Sequence, residues 1–186
     1  CVKGSGWDMD SIEPEGLPGV KLDALKRLVN LEVLSDENMV RYINTNLIDP
    51  NSPTPSVETL SHAFLPPKYV VHSHASAILA VTNQPNGEHI CRDLFGEKVG
   101  IVPYIMPGFK LAKTSIEVYK ENSDVNGLIL MNHGIFTFSD DPREAYSSMI
   151  DSVTQIEDYL KNNKRNVLGS VNISPPRIKP EDLSPV

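Results

Sequence analysis

Three histidines stand where strands are predicted to end, and their spacing is that of metal ligands. His72 and His74 are two residues apart in segment 69–74, whose β-branched residues predict a strand. Side chains two apart on a strand project from the same face, so the two imidazoles can converge on one ion. His133 ends an apolar run and precedes Gly134, and we interpret this glycine as permitting a tight turn that leaves the imidazole pointing off a strand end.

Three histidine ligands would leave a tetrahedral zinc ion with one open position, which is typical of a catalytic site and not of a closed structural one. Glu58, near the start of a short predicted helix, could act as a fourth, displaceable ligand or as a general base. Simpler interpretations stay open, because an isolated His-x-His pair is often satisfied by local hydrogen bonds and a first-turn glutamate often only favours the helix dipole. His62, one turn after Glu58, is interpreted as a supporting partner or a core histidine, and His89 as a solvated surface residue.

Helices and strands alternate in the elements that must position these residues. Apolar residues at helical spacing predict the helices, and β-branched runs bounded by turn-forming residues predict the strands. The expected N-caps are Asp36 for the second helix, Ser56 for the helix that carries Glu58, and Asp140 or Asp141 for the last helix. The predicted helices are 22–29, 36–48, 56–64, 75–81, 90–94, 109–121 and 143–161, and the predicted strands are 69–74, 99–102, 128–132 and 135–138.

The composition bounds the class of protein. With 186 residues and 40% hydrophobic content, the chain is long enough for one domain with a core, which we predict over residues 1–164. A net charge of -7 without a basic cluster argues against nucleic acid as a partner. The apolar runs are too short for a membrane span and no signal-peptide pattern opens the chain, so a cytoplasmic location and no membrane partner are expected. Cys1 and Cys91 are expected to be free thiols, as in cytosolic proteins.

The two ends of the chain differ from its middle. Cys1 opens the chain without a preceding Met, in a segment that reads like the interior of a domain, and we therefore expect a segment upstream. Residues 165–186 carry prolines at 175, 176, 180 and 185 with little apolar periodicity. This composition predicts a Pro-rich linker or a surface-draped tail.

Four short motifs occur in the order and approximate spacing of one known family. They are Pro55-Ser56-Val57-Glu58, Val71-His72-Ser73-His74, Val102-Pro103-Tyr104 with Pro107-Gly108, and Met131-Asn132-His133-Gly134. On these motifs, residues 4–160 resemble the class II aldolase and adducin head family. Segments 2–8 and 60–66 look most like the aldolase domain that, in some bacteria and archaea, is fused ahead of a short-chain dehydrogenase and assigned to rhamnulose-1-phosphate cleavage.

This resemblance implies a fold, a cofactor and a reaction. The fold would be a class II aldolase-like α/β fold with three α/β/α layers and a central, largely antiparallel sheet. His72, His74 and His133 would hold Zn2+ or another divalent metal, and Glu58 would be the acid-base residue. The substrate would be a sugar phosphate, a ketose 1-phosphate of the rhamnulose or fuculose type, cleaved to dihydroxyacetone phosphate and an aldehyde.

The resemblance also assigns Ser5, Gly6 and Ser56 to a substrate phosphate pocket. The residues give this some physical support. A capped helix start presents free N–H groups to an anion, and the backbone amides of Gly4-Ser5-Gly6 can approach a phosphate closely. An ordinary cap and an ordinary turn are the simpler alternatives.

Other functions within the family stay open. Relatives with the same ligands are pentulose-phosphate epimerases, decarboxylases or dehydratases, and an adducin-like head is a non-catalytic assembly module without the metal site. The resemblance further implies a homo-oligomer, most commonly a tetramer, with active sites at subunit boundaries. The apolar faces of predicted helices 75–81 and 109–121 are candidate subunit contacts, with core burial as the alternative. A short-chain dehydrogenase domain is the expected fusion partner in the intact protein.

Overall fold

The computed structural model describes residues 1–163, so the tail predicted over 165–186 lies outside the described residues. The bounds of the helices are α1 (Leu22–Arg27), α2 (Asp36–Thr45), α3 (Thr59–Phe64), α4 (Ser76–Thr82), α5 (Gly87–Phe95), α6 (Phe109–Glu121) and α7 (Pro142–Asn162). The strands are β1 (Tyr69–Ser73), β2 (Val99–Val102), β3 (Gly127–Leu130) and β4 (Gly134–Ser139). No helix within residues 1–163 is both long enough and apolar enough to cross a membrane.

The strands form one sheet in the order β1-β4-β3-β2. Strand β4 runs antiparallel to both of its neighbours, β1 and β3, whereas β2 runs parallel to β3. The predicted largely antiparallel sheet is therefore confirmed. In this register His72 of β1 lies opposite Phe136 of β4, which brings the end of β1 to the same edge as the turn that precedes β4.

Helices cover both faces of the sheet, which gives the three α/β/α layers that we predicted. Along β3, Ile129 packs into a cluster with α4, α5 and α7, whereas Leu128 and Leu130 pack with α6 on the opposite face. This is the alternation that strand geometry imposes. Helices α1, α2 and α3 join α6 in a further cluster on its side of the sheet.

The apolar faces of α4 and α6 belong to this core. Ile78 of α4, and Leu111 and Ile116 of α6, are buried among their neighbours within the chain. Of the two interpretations of these faces, core burial is the one that the structure supports. Cys91 lies buried in the same core and Cys1 is exposed, and both are free thiols as predicted.

The predicted N-cap is correct for α7 and wrong for α2. Asp141 caps α7, and its Oδ1 accepts hydrogen bonds from the backbone N–H groups of Arg143 at 2.8 Å and Glu144 at 3.1 Å. The expectation that Asp36 caps α2 is wrong, because Ser35 takes that position and its Oγ accepts from Asn38 N at 3.3 Å. Serine and aspartate are equally good caps, so their order along the chain alone did not decide between them. Helix α2 also ends at Thr45, before the predicted end at residue 48.

Candidate metal centre

Four side chains that are distant in sequence meet at the edge where β1 ends and β4 begins. Glu58, His72, His74 and His133 each offer one ligand atom, and these atoms all lie within 4.8 Å of one another. Oε1 of Glu58 lies 2.8 Å from Nε2 of His133, 3.1 Å from Nε2 of His72 and 3.7 Å from Nε2 of His74. The group could therefore hold a metal ion, and it contains the four residues that the sequence pattern singled out.

His72 is held in the orientation that a metal ligand requires. Its Nδ1 lies 3.0 Å from the carbonyl oxygen of Ile135, and since a carbonyl only accepts, Nδ1 carries the proton there. Its ring also stacks on Phe136, with centroids 4.2 Å apart. In the neutral imidazole Nε2 then presents a lone pair, and this buried atom has no hydrogen-bond partner among the described residues. A lone pair facing a carboxylate oxygen at 3.1 Å suits a site for a cation.

His133 lies on the turn between β3 and β4. Its backbone N–H donates to Leu130 O at 3.1 Å, and Asn132 adopts a positive φ of 58°. Asparagine tolerates this left-handed conformation better than most residues. Our interpretation that Gly134 permits the turn is wrong, because Gly134 is the first residue of β4 and is not among the glycines with positive φ. The Asn132 side chain instead donates to Asn83 Oδ1 at 3.0 Å and ties the turn to the end of α4.

The site is open on the side of His74. The His74 side chain is 56% exposed, whereas those of His72 and His133 are 10% and 8% exposed. His74 lies one residue beyond β1, so the strand places its backbone without enclosing its ring. Burial and the nearby charge of His72 lower the pKa of His74, which favours the neutral imidazole that binds metals.

Glu58 joins the histidines from the other direction, at the N-cap of α3. Burial by itself would raise the pKa of Glu58, but the contacts of its carboxylate with the His133 and His72 imidazoles, and the charges of these rings when protonated, outweigh burial and hold this pKa well below its ordinary value. The carboxylate is therefore ionised at neutral pH. Its Oε1 faces the histidines, and its Oε2 accepts a hydrogen bond from Ser56 Oγ at 3.3 Å.

The expectation that Ser56 caps the helix carrying Glu58 is wrong. Helix α3 begins at Thr59, and Glu58 occupies its N-cap without a capping hydrogen bond. Ser56 pairs instead with a distant segment, since Ser56 N donates to Lys3 O at 3.0 Å and the neighbouring Pro55 forms a bridge with Gly4. Ser56 is thereby held beside the first residues of the chain, and the anion site expected at a Ser56-capped helix start is not formed.

The same pairing nevertheless brings the predicted phosphate residues together. Ser5 N donates to Thr54 O at 2.8 Å, next to the Ser56 pairing. Gly6 follows with a positive φ of 80°, and a Cβ built on it would meet no atom within 4 Å. Ser5, Gly6 and Ser56 thus lie on two neighbouring segments, and Ser56 contacts the carboxylate of Glu58.

The other two histidines lie outside the group. His62 packs edge-on against Phe136, with centroids 5.4 Å apart, and burial followed by the charge of His72 lowers its pKa to about 4. It is a core histidine behind the site, which is one of the two alternatives considered for it. His89 is 76% exposed, lies 3.4 Å from Asp93 on α5, and matches the predicted surface residue.

Comparison with known families agrees with this geometry. The family described as the class II aldolase and adducin N-terminal domain matches residues 1–160. The chain belongs to this family. Its members include divalent-metal enzymes, and the cluster of one glutamate and three histidines provides a possible metal site of that kind.

Two similar proteins are larger than this chain. A curated relative, the uncharacterized oxidoreductase YuxG of Bacillus subtilis (strain 168), is 35% identical over 183 residues, which is 97% of this chain and 26% of the relative. The chain thus spans about a quarter of that relative's length. A solved structure, the N-terminal class II aldolase domain of a conserved protein from Thermoplasma acidophilum, is 38% identical with a TM-score of 0.79 over 85% of this chain and 73% of that one.

A more distant structure shares the fold alone. L-fuculose-1-phosphate aldolase from Thermus thermophilus is 18% identical, with a TM-score of 0.53, and the similarity covers 86% of this chain and 76% of that one. At this identity the likeness supports the three-layer architecture.

The groups that hold the candidate metal ligands in place were not predicted from the sequence. These are the Ile135 carbonyl, the Phe136 ring, the left-handed Asn132 and the pairing of the first residues with Pro55. Only Asn132 left a local signal, as the non-glycine residue best suited to a positive φ beside a strand end.

Proposed function

We propose that this chain is a metal-dependent class II aldolase that cleaves a ketose 1-phosphate of the rhamnulose or fuculose type to dihydroxyacetone phosphate and an aldehyde. The observation that carries the proposal is the convergence of three imidazole Nε2 atoms on one carboxylate oxygen, at distances from 2.8 to 3.7 Å. His72, His74 and His133 would hold the divalent ion, with Zn2+ as the first candidate because a site of three histidines with one exchangeable position suits it.

The three histidines and Glu58 would have different roles in the cleavage. A divalent ion held by the three histidines would act as a Lewis acid toward the carbonyl and hydroxyl oxygens of the ketose. As the carbon–carbon bond breaks, its electron pair stays on the carbon next to the carbonyl group and the aldehyde leaves. Glu58, ionised and in contact with two of the histidines, would be the acid-base residue: it would accept the proton that the hydroxyl group of the departing carbon loses as the aldehyde forms, and would then deliver a proton to the carbon that keeps the electron pair.

The phosphate group would be bound on the other side of Glu58. Ser5, Gly6 and Ser56 lie on paired segments, and the Ser56 hydroxyl contacts Oε2 of the same carboxylate whose Oε1 faces the histidines. A phosphate bound here would place the reacting carbons of a ketose 1-phosphate close to Glu58. Because such a substrate is a charged metabolite, a cytoplasmic location is part of the proposal.

The proposal extends to the assembly of the protein. A homo-oligomer, with a tetramer as the expected form, would use side chains other than the buried faces of α4 and α6. Val33 and Met106 are exposed apolar residues of this kind. The intact protein would carry a short-chain dehydrogenase domain, since the relative named as an oxidoreductase is about four times longer than this chain. Residues 1–164 would form the aldolase domain and residues 165–186 the linker.

The decisive test is an aldolase assay with a variant that removes only the proton carrier. Glu58→Gln keeps the shape of the side chain but cannot accept a proton, so turnover of ketose 1-phosphates should fall by about 100-fold to 10,000-fold while the chain still folds. The matched control is Glu88→Gln, which changes an exposed carboxylate on α5, away from the histidine cluster. Release of dihydroxyacetone phosphate would be measured with both variants and with the wild type.

The same assay separates the alternatives. Conversion of pentulose phosphates by the wild type without release of an aldehyde would indicate an epimerase and not an aldolase. Release of carbon dioxide would indicate a decarboxylase, and release of water a dehydratase. Purified protein without any divalent metal and without turnover would indicate an adducin-like assembly module. Undiminished aldolase turnover in Glu58→Gln would assign the proton transfer to another residue.

A further inference from the structure

Gly134, the first residue of β4, makes a backbone contact that no other residue type could make there. A Cβ atom built on Gly134 would lie 2.4 Å from the carbonyl oxygen of Ser73 and 3.1 Å from Cδ2 of the His74 ring. Rotating a side chain cannot relieve the first contact, because the obstructing atom belongs to the backbone. The bare Cα of Gly134 therefore allows the end of β1 to approach the start of β4 closely.

We propose that Gly134 is a positioning residue for His74, and that the close approach at Gly134 sets the place of the third imidazole relative to His72 and His133. The proposal rests on the proposed metal site. It assigns to Gly134 a role different from the turn-forming role that the sequence suggested.

His74 depends on this contact more than the other two histidines do. His72 is fixed by the Ile135 carbonyl and by stacking on Phe136. His133 is buried on a turn that its own backbone hydrogen bond closes. His74 lies beyond the end of β1 with a mostly exposed ring, and its Nε2 is 3.7 Å from Glu58 Oε1, which exceeds the length of a normal hydrogen bond.

The size of the expected displacement follows from the contact distances. Ordinary van der Waals contact begins at 3.4 Å, so a methyl group at Gly134 would have to move the Ser73 carbonyl by roughly 1 Å from its 2.4 Å position. Metal–ligand distances tolerate changes of about 0.2 Å. Because His74 directly follows Ser73, a displacement of this size would withdraw its imidazole from the other ligands. We expect affinity for the metal to fall about 10-fold to 100-fold, as when groups that orient a ligand are removed.

The experiment compares two glycine substitutions in the same sheet by titrating the metal-free 186-residue chain with Co2+. Gly134→Ala should weaken Co2+ binding about 10-fold to 100-fold and change the visible absorption spectrum of the bound Co2+. Gly100→Ala is the matched control. Its Cβ would also lie too close to its neighbours, at 2.7 Å from the Leu128 side chain and 2.8 Å from the Val118 side chain, but Gly100 lies in β2, at the opposite edge of the sheet from β1. This control should lower stability and leave Co2+ affinity and spectrum unchanged.

A double-mutant cycle separates positioning of His74 from a general disturbance of the sheet. If Gly134 acts through His74, then Gly134→Ala should cause no further loss of Co2+ affinity in a His74→Ala background. A further loss in that background, or wild-type affinity and spectrum in Gly134→Ala alone, would overturn the proposal.

A measurement on the wild type covers the case in which Gly134→Ala does not fold. Nuclear Overhauser spectroscopy of the metal-free chain should show contact between a Gly134 Hα and His74 Hδ2, and the absence of that contact would overturn the proposal. Failure of the proposed function would be seen separately, as a wild-type chain that binds no Co2+ while this proton contact is still present.

Discussion

Replacing His74 by alanine should separate metal binding from folding more cleanly than any other change at the site. The His74 side chain is 56% exposed, and its Nε2 lies 3.7 Å from Glu58 Oε1. Its removal should therefore change the unfolding free energy of the metal-free protein by no more than about 0.5 kcal/mol, as for other surface substitutions. The same change removes one of three imidazoles and should raise the dissociation constant for the metal about 100-fold or more.

The difference is large enough to measure by thermal unfolding. At a metal concentration 100 times the dissociation constant, binding adds about 2.7 kcal/mol to the free energy of unfolding. For a domain of this size that corresponds to a rise in Tm of about 5–11 °C. If the dissociation constant rises 100-fold in His74→Ala, the same metal concentration adds only about 0.4 kcal/mol, or about 1–2 °C.

The assay is differential scanning fluorimetry of the chelated protein, with and without Zn2+. His89→Ala is the matched control, because His89 is an exposed histidine that pairs with Asp93 outside the site. This variant should keep the full metal-induced rise in Tm. The reasoning would be refuted by a full rise in His74→Ala, or by an equal loss in the two variants, which would point to surface histidines binding Zn2+ nonspecifically.

Three further predictions test the turn at Asn132, the proposed phosphate segment and the partly buried His62. Asn132→Ala should cost about 1 kcal/mol more unfolding free energy than Asn132→Gly, because glycine accepts the positive φ of 58° and alanine does not; equal denaturant midpoints would contradict this. Ser56→Ala should raise KM about 10-fold or more for a ketose 1-phosphate and leave KM for the unphosphorylated ketose unchanged; an equal change for both sugars would remove Ser56 from the phosphate pocket. His62 is partly buried, and burial lowers its pKa to about 4, so the unfolded chain binds more protons than the folded chain between about pH 6.5 and pH 4. The free energy of unfolding should therefore fall as the pH falls through this window, by at most on the order of 3 kcal/mol. His62→Gln should remove this contribution, which urea unfolding at several pH values would measure.

The parts of the fold that were predictable from the sequence have strong local patterns. Helix α6 begins at Phe109 and ends at Glu121 as predicted, because its apolar residues repeat at helical spacing and Gly108 precedes it. Strand β2 also has its predicted bounds, Val99–Val102. The histidines were identified because the chain has only five and the family motifs fix their order, and Glu58 was identified through its place in the Pro55-Ser56-Val57-Glu58 motif.

The start of α3 was not predictable from local residues. Pro55-Ser56 reads as a helix start in isolation, since proline ends an extended segment and serine is a good cap. In the structure Ser56 N donates to Lys3 O, some fifty residues earlier in the chain, and Ser56 Oγ accepts from Glu58 N at 3.3 Å in a turn that precedes the helix. Capping rules describe a single segment, so they take no account of pairing with a distant one.

The role of Gly134 at the site could likewise not be predicted from the local sequence. A glycine after a strand-end histidine suggests a turn, because glycine is the usual residue for positive φ. The structure gives the positive φ to Asn132 and uses Gly134 for the approach of β1. Both roles call for glycine, and only the register of β1 against β4 distinguishes them.

The position of Glu58 joins the two halves of the proposed active site. Its Oε1 faces the three histidines, which the sheet holds, while its Oε2 contacts Ser56, which the first residues of the chain hold. Because Glu58 lies at the N-cap of the short α3 without a capping hydrogen bond of its own, its carboxylate is placed by these contacts and not by the helix. A phosphate that engages Ser56 would thus act on the same carboxylate that we propose moves the proton, which gives a physical reason for a phosphorylated sugar to react faster than its unphosphorylated counterpart.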